Sequence, residues 1–495
     1  MSSKSQRSAV ESAAPVTLEK SSLLDQIVDE GRMARDPENR ERGKDLVKEF
    51  VSQFLDGNMT LSRDSEAMIN ARIAQIDHLI SIQLNEVLHH PTFQRLEGSW
   101  RGMKYLLDHS ETSENLKLKV LNCSKKELLR DLQRSAEFDQ SAMFKKVYEE
   151  EFGVFGGHPF GALIGDYEFG KGPEDMELLE KVSQVAAAAH APFLSAANAS
   201  LFNLDSYSEL GAPRDLAKIF DTTEYAKWKS FRNSDDSRYV ALTVPHILMR
   251  DPYGKATRAV DEFDYEENVD GTDHTKYLWG NAAWALGARI TESMAKYNWA
   301  AAIRGVEGGG KVEGLTVHNF TTDEGDIAMK CPTETAITDR REKELADLGF
   351  VPLVHCKNTD YAAFFSVQSC QKAKKYDTDA ATANARLSTN LSYIMAVSRF
   401  GHYLKAMMRD KIGSYMSRNE CEAYLNRWIM GYVVDSSASA ESKARAPLAE
   451  ARVDVVDVPG KPGAYRAVAF MKPHFQLDEL TVSMRLVADL PAPAS

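Results

Sequence analysis

Residues 453–490 read VDVVDVPGKPGAYRAVAFMKPHFQLDELTVSMRLVADL, and the alternation inside this stretch decides the fold. Val453 to Val458 (VDVVDV), Arg466 to Lys472 (RAVAFMK) and Thr481 to Leu490 (TVSMRLVADL) are strand-like, and Pro459-Gly460-Lys461-Pro462-Gly463 supplies turn chemistry between the first two. In the last run Val482, Met484, Leu486, Ala488 and Leu490 share one face, while Thr481, Ser483, Arg485 and Asp489 mostly line the other, the two-residue period of a half-buried strand. The middle run is apolar on both faces, Ala467, Ala469 and Met471 against Val468 and Phe470, which predicts a strand covered twice. A sheet of two or three strands is marginal alone and leaves main-chain groups unpaired along its edges. Something else must complete it.

Upstream, the pattern is mixed. Strand-like runs at Lys117 to Leu121, Ala162 to Asp166, Tyr239 to Val244 and Leu315 to Val317 alternate with helical ones at Met176 to Ala189 and Leu278 to Ile303, the signature of a mixed α/β domain. The uncharged run from Val182 to Leu204 holds Gln184, His190, Pro192, Asn198 and Asn203, and reads as a buried helix with its connection rather than a membrane span. A helix begins near Asp339, which forms a capping-box pattern with Glu342, and ends at Gly349. Another spans Ala380 to Met408, and SSASAESKARA between Val434 and Ala446 reads as a flexible loop.

The N-terminal part is different again. Residues 1 to 20 are rich in Ser and Ala and read as a mobile arm whose one β-capable run is Pro15-Val16-Thr17-Leu18. Val47, Phe50, Val51 and Phe54 then line one face of a helix closed by Gly57. After it Ile69, Ile73, Ile76, Ile80, Leu84 and Val87 recur at spacings of three and four. Such a seam serves either the parent core or a partner helix. The domains expected are therefore an arm and linker helix (1–60), a middle mixed domain (61–375) and a C-terminal domain (376–495).

The 495 residues leave no doubt that a sizeable core can form. A formal charge of −12 repels a phosphate backbone and disfavours nucleic acid as a partner. Five cysteines, Cys123, Cys331, Cys356, Cys370 and Cys421, are never spaced as CxxC, which argues against a disulfide framework or structural zinc and for a reducing cytosol. The first twenty residues lack the apolar run of a secretory signal, so a cytoplasmic protein with no direct membrane insertion is expected.

No constellation names a reaction. Gly165-Asp-Tyr-Glu-Phe-Gly170-Lys171-Gly172 approaches a phosphate-binding loop, yet it offers Gly172 where magnesium needs a hydroxyl, and it places Asp166 and Glu168 where an anion would sit. Gly305 to Val312 has Val in the hydroxyl position and reads as a flexible turn. No histidine pair has the i, i+4 spacing of a helical metal site, no GxSxG elbow occurs, and Cys331 reads as a buried structural thiol. Catalytic, metal and cofactor residues are accordingly expected to be none. The different-class alternative is a nucleotide-binding enzyme using residues 165–172.

Several long blocks carry a resemblance. HPTFQRLEGSWRGMKYLL (90–107), FGVFGGHPFGALIGDYEF (152–169), YLWGNAAWAL (277–286), IRGVEGGGKVEGLTVH (303–318), KCPTETAITDRREKELADLGF (330–350) and MKPHFQLDELTVSMRLV (471–487) together resemble the large sheath subunit family of bacterial type VI secretion systems, TssC or VipB. The stretch TVPHILMRDPYG (243–254) departs from the family's more basic, leucine-rich form. The resemblance implies a contractile-sheath fold whose small C-terminal sheet is completed by strands from neighbouring protomers. It implies pairing with the small subunit TssB (VipA), helical self-assembly around an Hcp tube on an envelope-anchored baseplate, and recycling of contracted sheath by the ClpV unfoldase. A sheath from another contractile injection particle is the near alternative. With the unpaired edges inferred above, it makes Val16, Thr17 and Leu18 a donated strand, and Ala467, Val468, Ala469, Phe470 and Met471, with Val482, Met484 and Leu486, receiving strands.

Overall fold

The computed structural model describes residues 37–55 and 65–476, apart from 213, 262, 323, 462 and 475. The arm and the last strand-like run, and with them Val16, Thr17, Leu18, Val482, Met484 and Leu486, lie outside the described residues. Two compact units divide between Ile80 and Ser81. The first contains helix α1 (Pro37–Leu55) and the start of helix α2 (Ser65–Leu88).

The second unit is built on a six-stranded mixed sheet. Its strands are β1 (Leu163–Phe169), β2 (Phe193–Ala197), β3 (Val240–Val244), β6 (Lys311–Val312), β9 (Val351–His355) and β10 (Ala362–Phe364), in the order β1-β2-β3-β9-β10-β6. The first four run parallel, and β10 is antiparallel to both its neighbours. Small two-stranded ladders pair β4 (Ile247–Leu248) with β5 (Trp279–Gly280) and β7 (Asn319–Thr321) with β8 (Ile327–Met329). Parallel strands buried on both faces are apolar at nearly every position, and β2 and β3 are buried throughout, the Ser195 and Thr243 hydroxyls donating to main-chain carbonyls. Alternation then sends neighbours to opposite layers. Phe193, Val240, Leu242 and Val244 join the core formed with the helix Pro173–Ala189, whereas Leu194 and Ala241 join the core formed with the helix Ala283–Tyr297. The result is a mixed helix-and-sheet fold.

A third core holds the C-terminal part. Trp299, Phe400, Leu404, Cys421, Leu425 and Ile429 gather beneath an antiparallel ribbon of β11 (Leu448–Asp457) and β12 (Tyr465–Pro473). The helices Leu391–Asp410 and Arg418–Ile429 supply most of that floor, and a Ser417–Glu420 capping box starts the second.

Several expectations are corrected. Lys117–Leu121 is no strand and, among the described residues, pairs with none; side chains hold it instead, Lys117 to His158 at 2.9 Å and Lys119 to Glu151, with Val120 and Leu121 exposed. Leu315–Val317 is not a strand, because Gly314 turns the chain in the left-handed region (φ 64°) and, among the described residues, only Leu315 N–H, bonded to Asp360 O, finds a main-chain partner there. The uncharged run 182–204 contains the buried strand β2, whose Phe-Leu-Ser-Ala-Ala sequence lacks β-branched residues, so burial rather than propensity makes it a strand. The helix placed at 278–303 is confined to Ala283–Tyr297, since Trp279–Gly280 pairs as β5 and Asn298 turns left-handed. The cap of helix Asp339–Asp347 is Thr338, without a side-chain bond. The helix read over 380–408 is two, Asp379–Ser388 and Leu391–Asp410, because Asn390 caps the second through Ser392 N–H. The flexible loop at 434–446 contains a helix, Ala440–Arg445, capped by Ser439. The turn at Gly305–Val312 is tied down: Gly305 N–H donates to Phe364 O and Phe364 N–H to Gly310 O. Cys331 is half-buried, not buried; burial raises its thiol pKa, but His355 and Thr333, whose hydroxyl lies 3.2 Å away, bring it below the usual value.

Candidate assembly surface

The segment that approached a phosphate-binding loop is occupied by its own side chains. Gly170 N–H donates to Asp175 at 2.7 Å, filling the position an anion would take at the helix N-terminus. Lys171 pairs with Glu224 at 2.8 Å and with Asn203 at 2.9 Å. Asp166 accepts from Ser99 and from Trp284 Nε1, and burial pushes its carboxyl pKa upward.

Two charge clusters flank this region. His246, half-buried, has Glu334 on Nδ1 and Glu168 3.0 Å from Nε2, the latter an ion pair rather than an aligned hydrogen bond. Burial works to lower the imidazole, but contacts with Glu168 and Glu334 raise it to about 10. Glu334 also meets His274 at 2.9 Å; burial raises its carboxyl, yet His246 and His274 bring it down to about 2. In the second cluster Arg250 joins Glu97 and Glu267, with His89 3.1 Å from Glu267. These residues are already spoken for by one another. The first cluster ties loops to β1, and the second ties the helix Pro91–Asp108 to the loop that carries Glu267.

The surfaces with unmet valence lie elsewhere. On α2, Ile69, Ile73, Ile76, Ile80 and Val87 are 43–50 % exposed, Leu84 is half-buried, and Leu79 and Ile82 are exposed beside them. Asn85 anchors the C-terminal turns of this helix, accepting from Tyr265 O–H at 3.1 Å and from Asn268 N–H at 2.9 Å. Among the described residues this apolar row is left without a covering element.

The ribbon is the second such surface. Its lower face seats Ala467, Ala469 and Met471 on the third core, with Val453 and Val455 beneath β11. The upper face is open: Val468 is 37 % and Phe470 52 % exposed, with Arg452 over the Phe470 ring at 4.9 Å. Among the described residues nothing covers this second side. Beyond β12 the chain is pinned by Gln476, which donates from its main chain to Tyr393 Oη at 3.0 Å and from Nε2 to Ala301 O at 3.1 Å, and accepts from Ser392 at 3.2 Å.

Of the candidate site residues, the five of β12 fall together on one ribbon strand and the six of the α2 seam on one helix. Sequence reasoning missed Asn426 and Glu422, whose side chains bond the main chain of β11. It also missed the His246 and Arg250 clusters, whose bonded members lie 17 to 178 residues apart and leave no local pattern. Among the described residues no helix is long and apolar enough to cross a membrane.

The tail sheath N-terminal domain of the VipB family (EvpB/VC_A0108) matches residues 70–371, and the family's gpW/gp25-like tail sheath domain matches 380–490. The type VI secretion system sheath protein TssC1 of Pseudomonas aeruginosa is 49% identical over 457 residues, covering 92% of this chain and 92% of that protein. Among solved structures, a chain of the anti-feeding prophage baseplate aligns with a TM-score of 0.38 at 10% identity, over 76% of this chain and 84% of that one. The contracted helical sheath of the same particle aligns with a TM-score of 0.25 at 12% identity, over 62% and 74%.

Proposed function

The chain belongs to the VipB tail sheath family of type VI secretion, and from that premise we propose that it is the large, non-catalytic subunit of a contractile sheath. It pairs with the small subunit TssB (VipA) through the middle domain and the apolar row of α2. The heterodimers stack as an open helix around an Hcp tube, docked on an envelope-anchored baseplate in the cytoplasm. Head-to-tail contacts that do not close into a ring generate a polymer of any length. ClpV then dismantles the contracted form.

The observation that carries this reading is the half-covered ribbon, with Val468 and Phe470 open to solvent. Main-chain pairing tolerates side-chain variation, so strands exchanged between protomers can hold a lattice together while its surfaces slide. Val16 to Leu18 of one copy is the donated strand, and Ala467 to Met471 with Val482 to Leu486 of the next receive it. The stroke draws on a metastable lattice: two packings differing by a few kcal/mol per protomer sum over hundreds of copies to a strong contraction. Deletion of residues 1–20 tests the reading. The heterodimer should persist while long sheaths disappear from electron micrographs; normal sheaths from the truncated chain would refute the exchange. Co-expression without the small subunit separates this reading from a single-component injection particle, which would still assemble.

A further inference from the structure

We infer that Asn426 and Glu422 are positioning residues that close one edge of the ribbon, so that strands join it through β12 alone. The inference rests on the strand-exchange reading above, and it concerns direction, which that reading leaves open.

In an antiparallel pair, successive residues point their main-chain groups alternately toward the partner strand and away from it. Val453 N–H donates to Asn426 Oδ1 at 3.0 Å, and Val453 O accepts from Asn426 Nδ2 at 2.6 Å. Two residues on, Val455 N–H donates to Glu422 Oε2 at 3.0 Å. At the start of the strand, Leu448 O accepts from Val434 N–H at 3.1 Å. Val453 and Val455 therefore face the helix Arg418–Ile429, not β12. The primary amide of Asn426 offers a donor and an acceptor at the spacing of a peptide group, and so imitates the strand that would otherwise pair here. The Glu422 carboxylate adds a charged acceptor, of the kind that blunts sheet edges.

The opposite edge follows from register. Val453 pairs with Ala469, Val455 with Ala467 and Ala451 with Met471. If Val453 and Val455 turn outward on their side, Ala467, Ala469 and Met471 turn outward on theirs. Among the described residues no main-chain hydrogen bond is found for these three beyond the ribbon itself. One edge is thus answered by side chains of its own domain, and on the other, among the described residues, the N–H and C=O groups stand in an unanswered row. The sheet can be extended in one direction only, with its first added strand in register with Ala467, Ala469 and Met471.

Hydrogen exchange at single-residue resolution, on the unassembled heterodimer and on assembled sheath, tests this. The amides of Ala467, Ala469 and Met471 should slow by about tenfold or more on assembly, the equivalent of one net hydrogen bond each. Those of Val453 and Val455 should be slow in both states. Slowing confined to Val453 and Val455 overturns the choice of edge while leaving strand exchange intact; slowing at neither edge overturns strand exchange and this inference with it. A second arm uses Asn426→Leu with Glu422→Leu. In the heterodimer the Val453 amide should exchange about tenfold faster, and on assembly Val453 and Val455 should gain protection as laterally bundled sheaths appear. Sheaths of wild-type form with no new protection in β11 would show that the two side chains direct nothing. Should the double variant fail to fold, the wild-type comparison decides by itself.

Discussion

Arg250 grips Glu267 through a two-pronged contact, Nη1 to Oε2 at 2.6 Å and Nη2 to Oε1 at 3.0 Å, with the side chains only 4 % and 1 % exposed. Its Nε donates to Glu97 at 2.8 Å, so a single guanidinium neutralises two carboxylates drawn from a helix and a loop. Burial raises the Glu267 carboxyl, but His89 and Arg250 outweigh it and hold the group at about 2.

Removing that guanidinium takes the buried Glu267 carboxylate down to His89 alone and leaves Glu97 to Arg101. Arg250→Met should lower the unfolding free energy by about 3–5 kcal/mol, measured by urea titration of tryptophan fluorescence. Arg250→Lys should recover less than half of the loss, because a point charge cannot span the fork. Equal stability of the Lys variant and the wild type would count against the bidentate contact as the source.

The His246 cluster sets a pH window. Its imidazole is raised from 6.5 to about 10, so its contribution is complete below pH 6.5 and is lost as pH climbs through 10. Glu334 is depressed from 4.5 to about 2, so its contribution is complete above pH 4.5 and is lost as pH falls toward 2. Stability from this cluster should therefore be flat between pH 4.5 and 6.5 and decline on both sides. In His246→Gln the alkaline decline should flatten in a series of thermal melts; an unchanged alkaline slope would assign it to other groups.

The ribbon separates folding from assembly within two adjacent residues. Ala469 points its N–H away from β11, so Ala469→Pro should keep the hairpin and the heterodimer while abolishing sheaths in electron micrographs. Val468→Pro removes a ladder bond instead and should destabilise the C-terminal domain by about 3 kcal/mol or more. Sheaths of normal length from Ala469→Pro would mean that the β12 edge is not used.

On α2 the apolar row is already in water in the isolated chain. Ile73→Lys with Ile80→Lys should leave its stability within about 0.5 kcal/mol and weaken capture of the small subunit at least tenfold, read by titration of the labelled partner. Unaltered partner binding would release the row from that role.

Where the chain's own periodicity decides structure, the sequence is transparent. The two strands β11 and β12 and the turn at Pro459 to Gly463 were legible because each is a local pattern, and the apolar row of α2 was legible as a seam, though not whether core or partner would cover it. The strand β2 was not, because a fully buried strand has no polar face to betray its period and Phe193–Ala197 carries no β-branched residue. Lys117–Leu121 misled in the opposite direction, having strand-like residues but no strand to pair with. Asn426 and Glu422 were invisible for a simpler reason: two polar residues one turn apart on a helix look like solvated surface until a strand is laid against them.

The anchoring of Gln476 has a mechanical meaning. Tension arriving from the chain beyond it meets Tyr393 and Ala301 before it can reach β12. The load passes into the long helix that starts at Leu391 and so into the body of the molecule. Gln476 thus works as a cleat between the hairpin and the body of the domain, taking strain on three bonds before any ladder bond of β12 must part.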